Sequence, residues 1–231
     1  TTEDLMAIVC EARDFTIHGR PSSDVTTACV SASVPRSTFC PATSFSVATN
    51  SGGGNIALRL ATRRPDVFRS LSCHEPALWG LLEADPESWE MLRQGARSLE
   101  AVGRRIAEGD HEGAARQFVE QVAFEPGAWE NQLPPEARAV FVQNAPTFLD
   151  ELQGLNPGEI EEAALSRLKL PVRFTEGSEG QPIFGRVIDR LVEVIPGATR
   201  ETIEGAAHVP QVQKPERYVE VTTRAVLEHA P

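Results

Sequence analysis

A chain of 231 residues suits one domain, or one domain carrying an insert, since length divided by about 150 is a soft guide to domain number. Its 41% apolar and 24% charged residues are ordinary for a globular protein, and 33 acidic against 22 basic side chains leave a net charge of −11. That field disfavours nucleic acid and anionic membrane surfaces as partners; no apolar run reaches the roughly 18 residues needed to span a bilayer, and no secretory-type apolar segment is recognisable at the start.

These features predict a cytoplasmic protein with no nucleic acid or membrane partner and an open oligomeric state; acidity names no substrate. Cys10, Cys29, Cys40 and Cys73 form no CxxC pair and no Cys/His cluster with zinc spacing, so scattered reduced thiols and no metal are expected.

In chain order, residues 21–49 are crowded with Ser and Thr, carry only Asp24 and Arg36 as charges, and show no clear period. Residues 28–34 and 43–49 are the strand candidates there. Residues 51–63, SGGGNIALRLATR, predict a helix entered through glycines and stopped before Pro65. Residues 67–73 form a short apolar run suited to a buried strand. A long helical tract follows: residues 86–108, a helix capped by Asp110, then residues 134–145 and 146–152, each opening on Pro. The last third alternates strand and helix: strands at 170–175 and 199–203, helices at 183–195 and 215–229. This order predicts an α/β fold, a mainly parallel sheet flanked by helices.

The segment Thr49-Asn50-Ser51-Gly52-Gly53 reads as small–x–Ser–x–Gly after a strand and before a helix, the pattern of a nucleophile elbow. The turn is so tight that flanking side chains would collide, and it lifts the hydroxyl above the sheet. The helix that follows favours developing negative charge, with the Gly52 N–H as oxyanion donor. A phosphate-binding loop is the rival reading, but neither GKS/GKT nor GxGxxG follows. A serine hydroxyl needs a base, and His208, on the loop after the last strand, stands where one would reach it. Two carboxylates could orient the imidazole: Glu75, after the strand ending near residue 73, and Glu179, after the strand at 170–175. Glu75 is favoured because Gly180 holds the more usual acid position. Asn50, His74 and Trp79 are candidate substrate-pocket residues, with packing as the favoured alternative for His74. Asp189 is expected on an exposed helix face.

Residues 50–226 resemble a bacterial α/β-hydrolase of the cofactor-independent serine type. NSGGGNIALRLATRRPDVFRSLSCHEPALWGLL resembles the elbow, its helix and the next strand; LPVRFTEG and ETIEGAAHVPQVQKPERYV resemble the acid strand and the histidine segment. The resemblance implies a core formed by residues 1–76 and 165–231, with a helical cap inserted at 77–164. It implies a catalytic triad of Ser51, His208 and an acid, and no cofactor. Many relatives carry the acid in a later G-x-x-D pattern, absent here; others place it after the strand preceding the cap, where Glu75 stands. The family also has an HG-type oxyanion segment some 65 to 75 residues before the nucleophile, whereas the only HG here, His18-Gly19, precedes Ser51 by 33 positions. The first strands are therefore expected to be incomplete, and the amino-terminal part truncated or aberrant. The implied activity is a serine esterase acting on a small-molecule substrate, a small ester or related carbonyl, with Trp79, Trp89, Phe118, Trp129 and Phe148 in the cap shaping an apolar pocket or, for most of them, serving plain packing. The alternatives are a catalytically impaired relative binding a small hydrophobic ligand, or a C–C bond hydrolase on the same scaffold.

Overall fold

The structure, a computed structural model, describes residues 44–154 and 160–228. The strand candidate at 28–34, His18-Gly19, and Cys10, Cys29 and Cys40 lie outside those residues. In chain order the elements are β1 (Phe45–Asn50), α1 (Gly52–Arg63), β2 (Phe68–His74), α2 (Trp89–Ala107), α3 (His111–Phe118), α4 (Ala128–Asn131) and α5 (Pro135–Gly154). They continue with α6 (Glu162–Leu165), β3 (Val172–Gly177), α7 (Pro182–Val194), β4 (Thr199–Ile203), α8 (Pro210–Gln213) and α9 (Pro215–Leu227). The described residues divide into two compact units, residues 44–81 with 160–228, and residues 82–154.

In the first unit the described strands form a parallel sheet of order β1-β2-β3-β4. Strands covered on both faces read as unbroken runs rather than alternating ones. β2 shows this, with six of its seven residues buried. β4 lies at an edge and is mostly exposed until Ile203. The core packs Leu71, Cys73, Val172 and Phe174 of the sheet with Leu58 and Ala61 of α1 and Val187, Ile188 and Leu191 of α7. α1 approaches the end of β2 so closely that a Cβ at Gly54 would lie 2.8 Å from Pro76 Cβ, so this position needs glycine for space.

The second unit is helical. Val102, Ile106, Ala114 and Ala145 form its buried cluster, with Phe118, Phe148 and Leu149 packed against them. Asp110 caps α3 by accepting from the Gly113 N–H at 3.0 Å, as its sequence position predicts. The break expected at Pro146 is absent: α5 runs through it without interruption. A proline inside a helix removes one N–H and leaves a carbonyl in need of a donor. Nearby, the Thr147 hydroxyl donates to Asn144 O at 2.7 Å, and Pro146 itself is exposed. Of the aromatics expected to shape a pocket, Trp129 is buried, Trp89 is exposed, and Phe118 and Phe148 pack on each other with ring centres 5.1 Å apart. Trp129, Phe118 and Phe148 serve packing within the helical unit.

Among the described residues, no helix is long and apolar enough to cross a membrane.

Candidate active site

Three segments meet at the carboxyl ends of the parallel strands, where open α/β sheets place their ligand sites. Ser51 sits between β1 and α1 at φ 52°, ψ −124°. Glu75 follows β2 at φ 42°. They are the only non-glycine residues with positive φ among those described. Such torsions cost about 1–3 kcal/mol each and gather where surrounding structure imposes them for a purpose. At Ser51 the surroundings are hydrogen bonds: its N–H donates to His74 O at 2.9 Å, and its own carbonyl accepts from Gly54 at 3.0 Å and Ala77 at 3.3 Å. Ser51 stays partly exposed. Gly52 opens α1, so its N–H is among those that no intrahelical carbonyl can satisfy.

His208 lies on the loop after β4 and is buried. Its Nδ1 is 2.7 Å from Glu75 Oε2. A carboxylate can only accept, so Nδ1 carries the proton and Nε2 is left as the basic nitrogen. Burial pushes the Glu75 carboxyl up; the hydrogen bond and charge of His208, helped by the Gly177 N–H, outweigh it and hold the carboxyl below its usual range. Glu75 Oε1 accepts from that Gly177 N–H at 2.9 Å. The Phe184 ring stacks on His208 with centres 4.3 Å apart.

Two further side chains join these segments. Asn50, next to Ser51, donates from Nδ2 to His208 O at 2.8 Å, which holds the elbow against the histidine loop. His74 is 1% exposed. Its Nε2 is 3.1 Å from Ala207 O, and its Nδ1 is 3.0 Å from Thr175 Oγ1. The carbonyl requires a proton on Nε2, so Nδ1 accepts from the threonine. Burial lowers the His74 pKa to about 4, so the ring is neutral near pH 7.

Of the residues expected to line a pocket, His74 and Asn50 are therefore engaged inside the protein instead. A fully buried imidazole with both nitrogens partnered offers no surface to a substrate. Trp79 is partly exposed and packs on Phe184 at 5.0 Å. Of the two carboxylates left open by the sequence, Glu75 meets His208, whereas Glu179 is exposed. Asp189 is exposed and paired with Arg200. Cys73 is a free, buried thiol pushed up to about 12 by burial, so it is no nucleophile near neutrality. Thr175, the Gly177 N–H and Phe184 were missed from sequence. Each acts through partners distant along the chain, and no local motif marks them.

No family description and no curated protein matches the sequence. Solved structures do match. MenH from S. aureus aligns with a TM-score of 0.62 at 16% identity, covering 80% of this chain and 69% of its own. An N-acyl homoserine lactone degrading enzyme aligns at 0.55 and 20% identity, covering 78% and 67%. Carboxylesterase CesB from Bacillus subtilis aligns at 0.53 and 17%, covering 80% and 60%. This chain has the α/β-hydrolase fold. It spans about two thirds of the length of these α/β-hydrolase structures or somewhat less. At such identities the likeness defines the fold alone. Within that fold, β1, α1 and the strand ends of β2 and β3 carry the residues described above.

Proposed function

We propose that this chain is a serine hydrolase acting on an ester or lactone carbonyl, with Ser51 as nucleophile, His208 as general base and Glu75 as the acid that orients it. The observation that carries this reading is the buried 2.7 Å contact between His208 Nδ1 and Glu75 Oε2, beside a serine held in a strained strand-to-helix turn. Among the similar structures are a carboxylesterase and a lactone degrading enzyme, which supports this substrate class.

The chemistry follows from the tautomer. With Nδ1 committed to Glu75, Nε2 takes the Ser51 proton as Oγ attacks the carbonyl carbon. The carbonyl π electrons move onto oxygen, which the Gly52 N–H and the α1 dipole stabilise. Collapse expels the alcohol, which takes the proton from Nε2 and leaves an acyl-Ser51 ester. Water, deprotonated by the same nitrogen, then releases the acid and restores the serine. Glu75 remains ionised throughout and stabilises the imidazolium that forms.

A p-nitrophenyl ester series of increasing acyl length tests the reading and addresses substrate size. The wild-type chain is expected to release p-nitrophenolate with saturation kinetics, and Ser51→Ala to lose about 10⁶-fold in kcat, the scale for removal of a triad nucleophile. Equal rates for the two proteins would overturn the assignment.

A further inference from the structure

Gly180, on the loop after β3, is a glycine for reasons of space rather than torsion. Its φ lies outside the left-handed region that favours glycine. A Cβ built there would clash with Glu75 Oε1 and lie 3.3 Å from Glu75 Cδ and 3.1 Å from Gly177 O. The same oxygen accepts from the Gly177 N–H at 2.9 Å, and the loop closes through Gly180 N–H to Gly177 O at 3.1 Å. Residues 177–180 thus form a socket for one carboxylate, with a backbone donor at one end and an omitted side chain at the other. Glu75 enters it from the end of β2 through its φ of 42°, and its second oxygen meets His208.

We propose that Gly180 is a positioning residue: the missing Cβ seats the Glu75 carboxylate and so aims it at His208. The inference rests on the reading of Glu75 as orienting acid. A side chain at 180 and the seated carboxylate of Glu75 exclude one another.

The test uses the full chain and the variants Gly180→Ala, Glu75→Ala and Glu75→Ala/Gly180→Ala. Three readouts are taken: the urea midpoint, the ¹⁵N NMR signature of which His208 nitrogen carries the proton, and kcat and KM on p-nitrophenyl acetate. Gly180→Ala is expected to lower the urea midpoint clearly when Glu75 is present and much less in the Glu75→Ala background, where only the 3.1 Å approach to Gly177 O remains. It should also lose the Nδ1–H signature and roughly 10- to 100-fold in kcat at constant KM, as expected for a displacement near 1 Å. Wild-type midpoint and Nδ1–H signal in Gly180→Ala would overturn the proposal. So would an equal stability loss with and without Glu75. The midpoint and NMR readouts need no turnover. A wild-type chain inactive on every ester would therefore defeat the functional reading and leave the socket still to be decided by them.

Discussion

The two compact units bury different things. Val102, Ile106, Ala114, Val119 and Trp129 fill the helical unit, and Ser88 is its only buried polar side chain among the described residues. The α/β unit buries Asn50, His74, Glu75, Thr175 and His208 together at its strand ends. Burying a polar group costs free energy unless it is hydrogen-bonded. These five are joined to each other or to adjoining backbone carbonyls and N–H groups. The two strained non-glycine torsions lie in the same unit. One unit is held by apolar packing; the other spends buried hydrogen bonds and strain on fixing a particular arrangement of side chains.

That contrast can be broken by comparing rate with stability across the two units. The largest effect is expected from Glu75→Gln. It preserves shape but lets the amide donate toward His208 and upset its tautomer, so kcat should fall roughly 10⁴-fold in steady-state ester hydrolysis. A loss under tenfold would detach Glu75 from the chemistry. Next, Ile106→Ala in the helical unit should cost about 2–5 kcal/mol by urea unfolding while the rate of Ser51 acylation by a small reagent stays at the wild-type value. A parallel loss of rate would erase the distinction between the units.

His74 gives a pH-dependent test. Its pKa is lowered by burial to about 4 in the folded protein, against about 6.5 when unfolded. The folded state binds fewer protons in that interval. Its stabilising contribution is therefore complete above pH 6.5 and is lost as pH falls toward 4, by about 3 kcal/mol in all. Glu75 acts with the same sign but in a lower window, since its depressed carboxyl loses its contribution only as pH falls below the ordinary carboxylate value of 4.5. His74→Gln should flatten the urea midpoint between pH 6.5 and 4.5 relative to wild type; an unchanged slope there would contradict the assignment. The smallest effect is expected from Arg190→Ala. Its pairs with Glu162 and Glu193 lie at the surface, so thermal unfolding should register less than about 1 kcal/mol.

Much of this was legible from local signals. Ser51 is marked by small flanking residues between a strand and a helix, and His208 by a loop between the last strand and the closing helices. Both signals span only a few residues. Spacing favoured Glu75 over Glu179, but the contact itself was not legible, because it depends on which carboxylate is carried to His208, 133 positions from Glu75. His74 stood between a pocket and a packing role in sequence; Thr175 and Ala207, both remote along the chain, take up its two ring nitrogens. The reason for Gly180 is invisible in sequence, since the atom that excludes its side chain belongs to a residue on another strand. Pro146 misled in the other direction, because a proline signals a break and an exposed helix face can absorb one.

The most direct measurement is peptide mapping by mass spectrometry after reaction with a fluorophosphonate. If the hydroxyl at 51 is activated by the imidazole at 208, a single phosphonyl adduct should appear on the peptide containing Ser51 and vanish in Ser51→Ala and His208→Ala. Folded protein that takes up no adduct, or takes it up elsewhere, contradicts the account.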